Sequence, residues 1–286
     1  MLPPRMADLE RVHARLLEWY TSNARDLPWR RTRDPYAILV AEVMLQQTQV
    51  DRVIPKWHAW LARFPTLADL ARATRADAIR AWQGLGYNLR AVRLHTIAQQ
   101  ALTDYGGRLP RDVEGLLQLK GIGRYTAGAV ACFAYEQPVA MVDTNVRRVL
   151  SRVFGWDPRT VDRLAKSVVP VPSAYAWSQA LMDLGATLCR PRRPLCLVCP
   201  LVADCGGPRP RALPANSEKT AAEQFQGSRR FYRGRIVQLL RDVPLGEAVV
   251  LADLVRHAGG RRDLVHELAA DGLVRIDSAE RVRLAD

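Results

Sequence analysis

No stretch of this 286-residue chain approaches the roughly 20 consecutive apolar residues that span a bilayer, so a helical membrane protein is not expected. The first residues, MLPPRMADLERVHARL, lack an apolar core followed by a small-residue cleavage site. No secretory signal is therefore read, and a cytoplasmic protein is expected. P-loops, nucleophile-elbow serines, zinc-protease motifs and internal repeats are all missing, which removes the enzyme classes built on them. Alternating apolar–polar runs are scarce before the last few dozen residues, so the body is expected to be all-α. Acidic residues are the minority: 29 Asp plus Glu against 42 Lys plus Arg leave a formal net charge of +13. Such an excess favours a polyanionic partner, most commonly nucleic acid. What remains, 48% hydrophobic and 25% charged residues, is the composition of a soluble globular protein.

Helical spacing appears at once, in Leu9, Val12, Leu16, Leu17 and Tyr20, and a mostly apolar pattern runs from Ile38 to Val53. Thr66 with Asp69 and Thr74 with Asp77 have the spacing of capping boxes, in which side chains satisfy the free N–H groups of a helix start. Between Gly206 and Ser228 the chain turns polar and rich in Pro, Gly and Ala, as linkers do. Beyond it, three short helical patterns lie around Arg235 to Leu240, Leu251 to His257 and Asp263 to Ala269. LVRID and RVRLA, with the turn residues Ser278 and Ala279 between them, then predict a strand pair. The expected organisation is a body over 1–205, a linker over 206–228 and a small winged-helix-like C-terminal domain over 229–286.

Cysteine is sparse, and four of the five fall together as Cys189-x6-Cys196-x2-Cys199-x5-Cys205. In a reducing compartment this clustering favours a metal site over disulfides. Four thiolates on one compact loop suit a cubane cluster; structural zinc, which more often uses two separated C-x2-C knuckles, is the alternative. Arg190, Arg192 and Arg193 on the first arc can neutralise phosphates. A second motif, LKGIGRYTAG, sets Gly121 and Gly123 before a helical run, as in a helix-hairpin-helix whose N–H groups point at a phosphate. Glu42 sits among apolar residues, a setting that disfavours its charged form and lets a carboxyl hold a proton for donation. Asp143 stands just before a predicted helix, where it can serve as an N-cap.

Taken in order, LPWR, DPY, EVMLQQTQV, GLGY, LKGIGRYTAG, VDTNV, QALMDLGA and the four-cysteine loop resemble the MutY-type adenine DNA glycosylases of the helix-hairpin-helix, iron-sulfur glycosylase superfamily. The resemblance covers roughly residues 8–205. It implies a six-helix barrel domain over about 30–137, beside a cluster domain formed by the N-terminal helix and about 138–205. A 4Fe-4S cluster is implied on Cys189, Cys196, Cys199 and Cys205, and the implied partner is double-stranded DNA with a mismatched or damaged base pair, bound by a nucleoid-associated monomer. The implied reaction removes adenine opposite 8-oxoguanine or guanine. Matched to the family motifs, Glu42 is the general acid that protonates adenine and Asp143 the carboxylate that stabilises the sugar cation. Tyr125 is implied to hydrogen-bond Asp143, and Asn145 to stand near the attacking water. Arg30 and Gln179 match adenine contacts, while Gln47, Thr48 and Tyr87 match the wedge and the contacts around the opposite base. Trp29 and Tyr36 are read as core. In the lyase branch resembling endonuclease III a lysine occupies position 125, so a tyrosine there implies base excision without strand cleavage, and Lys120 is no substitute.

Two local departures are Asn88, where many members carry tyrosine, and Thr144, where many carry glycine. The larger one is the tail, which is too short for the family's Nudix-like domain. The alternatives are a thymine or uracil mismatch glycosylase of the same superfamily and a non-catalytic DNA-binding regulator.

Overall fold

A computed structural model describes residues 6–207, 225–244 and 246–286. Residues 208–224, most of the expected linker, lie outside the described residues. Fourteen α-helices appear among the described residues, and every strand lies after residue 248. Two compact units divide the chain: one holds 1–38, 111–117 and 123–215, the other 39–110, 118–122 and 216–286.

In the first unit, α1 (Met6–Asn23) turns Val12 and Leu16 into the core, as its spacing predicts. They meet Val149 and Leu150 of α9 (Thr144–Phe154), and Trp177, Leu181 and Leu184 of α11 (Ala174–Thr187). Between these helices in sequence come α7 (Val113–Leu117), α8 (Arg124–Tyr135) and α10 (Val161–Leu164). Trp29 and Tyr36 are buried, in accord with their reading as core.

α2 (Pro35–Leu45) begins under an Asp34 cap, whose carboxylate accepts from the N–H groups of Tyr36 and Ala37 at 3.0 and 3.3 Å. Every residue from Tyr36 to Met44 is buried, and a helix apolar on every face apart from Glu42 has no face left for water. The apolar pattern of 38–53 is not one helix. Gln46–Gln49 interrupts it, and α3 (Val50–Arg63) starts afresh.

The second unit contains α4 (Leu67–Arg72), α5 (Arg75–Ala81) and α6 (Leu89–Asp104). Both expected capping boxes form, with the Thr66 and Thr74 hydroxyls accepting from the N–H groups of Asp69 and Asp77 at 3.1 and 3.0 Å. The tail forms α12 (Arg229–Arg241), β1 (Val249–Val250), α13 (Leu251–His257), α14 (Arg262–Ala270), β2 (Val274–Ile276) and β3 (Arg281–Leu284). The expected strand pair is antiparallel, with Arg275 opposite Arg283, but β1 joins the outer side of β3, making three strands in the order β1-β3-β2. Two residues are too few to show alternation, so β1 left no pattern to read.

The tail shares a core with the residues before it. Ile236, Val237, Leu240, Leu264, Leu268 and Val282 cluster with Ala76, Ile79 and Val92 of α5 and α6. Arg241 ties this junction: Nε donates to the Ile79 oxygen at 3.0 Å and an Nη donates to Asn88 Oδ1 at 2.8 Å. Asn88, the departure from the family's tyrosine, thus serves the attachment of the tail.

Candidate active site

Glu42 lies on the buried stretch of α2 and is 4% exposed. One turn later the backbone leaves the helix through Gln46–Gln49, where Gln47 adopts φ +55°. Tyr87 adopts φ +45° at the end of the GLGY turn, in which Gly84 and Gly86 also have positive φ. A left-handed backbone at two non-glycine residues costs of order 1–3 kcal/mol each, and such strain gathers at functional sites. Tyr87 is also 43% exposed, unusual for an aromatic in an ordered turn.

Arg90 of α6 holds both strained segments, and no sequence signal had pointed to it. Its Nη1 donates to the backbone oxygens of Val43 and Met44, both at 3.0 Å, and of Gln46 at 2.5 Å. Nη2 donates to Thr48 Oγ1 at 3.2 Å and to the oxygens of Leu85 and Gly86 at 2.9 and 3.1 Å. The fork therefore caps the free carbonyls at the end of α2 and welds the Gln46–Thr48 loop to the Tyr87 turn. Burial pushes the Arg90 guanidinium down to about 10, still protonated at neutral pH.

The hairpin motif is locally built as expected. Gln100 of α6 accepts from the Lys120 N–H at 2.9 Å and donates to the Gln118 oxygen at 3.1 Å. Gly121 has φ +103°, and a Cβ there would press to 3.3 Å on Arg93. The positive φ is what favours glycine there. Gly123 is the N-cap of α8 and gives it no side-chain cap.

Asp143 is the N-cap of α9: Oδ1 accepts from the Val146 N–H at 2.7 Å, and Oδ2 accepts from Asn145 Nδ2 at 3.1 Å. Both oxygens are thus held in place. Asn145 is in turn fixed by Arg148, which donates to Asn145 Oδ1 at 2.8 Å, to the Gly185 oxygen and to the Cys189 oxygen, both at 2.6 Å. Gly185 permits this approach, because a Cβ on it would lie 2.7 Å from Asn145 Cβ. Sequence reading missed Arg148; its only trace was the second arginine after VDTNV. Tyr125 stands in the first turn of α8, half-buried.

Gln179 is 4% exposed on α11. Arg30 is engaged by Asp183 of the same helix: Nη1 and Nη2 donate to its two carboxylate oxygens at 2.7 and 2.8 Å. Arg25 adds donations to Asp183 from Nε at 2.5 Å and from its backbone N–H at 3.0 Å. Arg30 Nε is buried and has no protein acceptor. Burial alone would push Asp183 up, but the Arg30 and Arg25 bonds and charges outweigh it and hold the carboxyl below the usual range.

Cys189, Cys196, Cys199 and Cys205 line one cavity of about 100 Å³, and among the described residues they do not converge as ligands of a single ion. Arg152 Nη1 donates to Cys189 Sγ at 3.3 Å, and the Gly207 N–H donates to Cys205 Sγ at 3.4 Å. Burial pushes the Cys199 and Cys205 thiols up, a cost that a cationic group bound there would reverse. Four thiols around a shared void, with donors aimed at two of the sulfurs, fit a polynuclear cluster better than a single zinc ion. Arg190, Arg192 and Arg193 are exposed on the loop, and among the described residues none is paired with a carboxylate. Cys132 is apart and buried, its thiol pushed up to about 11 by burial, as befits an inert core residue.

Residues 40–172 match the family model described as HhH-GPD superfamily base excision DNA repair protein. The chain is 43% identical over 279 residues to an adenine DNA glycosylase of Mycolicibacterium smegmatis, covering 94% of each. Among solved structures it is similar to a thermostable thymine-DNA glycosylase, with a TM-score of 0.66 and 32% identity over 70% of this chain and 95% of that one. It also resembles endonuclease III in a non-covalent DNA complex, with a TM-score of 0.59 and 23% identity over 69% and 94%. That last likeness is one of fold. Among the described residues no helix is long and apolar enough to cross a membrane.

Proposed function

The chain belongs to the adenine DNA glycosylases of the HhH-GPD superfamily of base excision DNA repair proteins, and from that premise we propose how its site removes adenine paired with 8-oxoguanine or guanine in double-stranded DNA. The reading rests on Glu42, a carboxyl 4% exposed on a helix otherwise apolar over its buried length. Adenine leaves poorly as an anion. Protonated at N7 by the Glu42 carboxyl, it leaves as a neutral base.

The sugar then carries positive charge, which the Asp143 carboxylate stabilises. The bonds from Val146 and Asn145 keep that carboxylate pre-oriented, so little reorganisation is needed as charge develops. Asn145 also serves the attacking water. Gln179 and Arg30 hold adenine, Arg30 through the Nε that has no protein acceptor. Tyr125 hydrogen-bonds Asp143 and supplies no amine, so no Schiff base forms and the product is an abasic site in an uncut strand.

Tyr87 is the wedge that fills the gap left by the flipped nucleotide, with Gln47 and Thr48 beside the opposite base. The Gly121 and Gly123 segment, with Arg190, Arg192 and Arg193, takes the DNA phosphates. Cys189, Cys196, Cys199 and Cys205 would hold a 4Fe-4S cluster, whose contribution is to fix the arginine-bearing loop. The protein works as a monomer at the nucleoid.

Single-turnover excision from an A opposite 8-oxoguanine duplex tests the mechanism. Glu42→Gln keeps the volume but supplies no proton, so excision should fall at least ~100-fold while DNA binding persists. Excision by Glu42→Gln at the wild-type rate refutes it. The likeness to a thymine-DNA glycosylase favours one second reading, thymine removal from G·T pairs. A duplex panel with A, T or U opposite G and 8-oxoguanine separates the two.

A further inference from the structure

A cavity of about 560 Å³ lies wholly in the second unit. Gln46, Gln47 and Tyr87 line one side of it, and Phe225 and Arg230 of the tail line another. The guanidinium of Arg230 stacks over the Tyr87 ring at 4.1 Å and lies 5.5 Å from the Phe225 ring. Its neighbours in the same basic cluster are neutralised, Arg229 by Asp263 and Glu267, Arg233 by Glu267 and Asp271. Arg230 alone of the three carries no ion pair among the described residues, and it is exposed.

A planar cation over an exposed ring, with a second ring alongside, is a stacking slot for a flat heterocycle. Gln47 and Tyr87, two of the four non-glycine residues with positive φ among the described residues, both line it. Gln47, proposed to lie beside the opposite base, and Tyr87, the proposed wedge, are thus part of its wall.

We infer that the tail completes this slot as the receptor for the base opposite the excised one, and that Arg230 makes it select a 6-oxopurine. This rests on the proposed function, since a flipped base must leave a partner behind. Arginine offers only donors. It can therefore donate to the O6 carbonyl that guanine and 8-oxoguanine share, and 8-oxoguanine offers it a second carbonyl at C8. Adenine presents an amino donor at position 6, which an arginine cannot satisfy. Phe225 and Tyr87 supply the stacking, which is indifferent to base identity.

Binding of the full chain is measured by fluorescence anisotropy on duplexes carrying a tetrahydrofuran abasic analogue opposite 8-oxoguanine, guanine or adenine. Nothing is excised from these duplexes, so the readout is independent of catalysis. The wild type should prefer the two 6-oxopurines over adenine, and Arg230→Leu should shrink that preference about fivefold or more, the discrimination of one good arginine–base pair. Arg229→Leu removes the same charge one residue away and should leave the preference intact. Equal weakening on all three duplexes by Arg230→Leu would reduce Arg230 to a phosphate contact and overturn the inference, as would a wild type without preference. Failure to excise adenine, measured separately, would count against the proposed function and leave the binding result to stand alone.

Discussion

Asp183 gives the sharpest test of how Arg30, proposed to contact adenine, is held. It is fully buried and accepts four bonds, two from Arg30 and two from Arg25. Asp183→Asn keeps the shape but removes the charge, and turns an amide N–H₂ toward a guanidinium that is itself only 8% exposed. Arg30 would then be a buried cation without its anion, a change that costs about 3–5 kcal/mol. Arg25 is 30% exposed, and solvent screens most of its share. The expected loss is therefore about 3 kcal/mol or more, read as a lower urea midpoint at unchanged m.

The pH dependence has a definite sign. The folded carboxyl sits below the ordinary value of about 3.9, so its stabilisation is complete above that value and fades as pH falls through the folded pKa. Asparagine does not titrate. The gap between wild type and Asp183→Asn should be constant from pH 7 to about 5 and narrow below about 4. A gap under about 1 kcal/mol at pH 7, or one that widens on acidification, refutes the reasoning. Arg30→Met with Asp183→Leu removes both charges and should be more stable than Asp183→Asn, because an apolar pair needs no compensation. That double variant should nevertheless excise adenine slowly, having lost the Nε donor.

The remaining sites give predictions of other kinds. Purified protein should be brown, with about four irons per chain and absorbance near 400 nm, and Cys199→Ser should weaken DNA binding; colourless, zinc-loaded protein would defeat the cluster assignment. Product DNA should break only after alkali treatment, and substantial borohydride trapping of an enzyme–DNA adduct would overturn the role given to Tyr125. Arg90→Met leaves several carbonyls of α2 and the Tyr87 turn without a donor, and buried acceptors cost about 1–3 kcal/mol each, so the melting temperature should drop clearly. Arg90→Lys should not restore it, since an ammonium lacks the planar fork; full rescue by lysine would show that charge alone matters. Asp143→Asn should lower excision by about 3 kcal/mol of transition-state stabilisation, and with Glu42→Gln the losses should be less than additive if both groups serve one transition state.

Local chemistry was legible. Thr66 and Thr74 signalled their capping boxes because cap and partner lie three residues apart, and Asp143 announced its N-cap for the same reason. The turn glycine Gly121 and the 274–276 and 281–284 strands were equally readable, each being a pattern within one short segment. Family resemblance added Glu42, an acid on an apolar helix that composition alone would have left ambiguous. The tertiary structure decided what such windows cannot contain. Arg90 reaches across 42 to 47 residues to the α2 carbonyls, the Gln46 carbonyl and the Thr48 hydroxyl, and Arg30 reaches across 153 to Asp183. Arg148 spans 41 residues to join Asn145 to the cysteine loop. An arginine in a sequence that contains many more looks the same whether it is solvated or buried, because its donors are indifferent to which oxygen they find. The same holds for the tail. Its helices and ribbon follow from local periodicity, but its seat on α5 and α6, and with it the stacking of Arg230 on Tyr87, comes from apolar faces that only folding brings together.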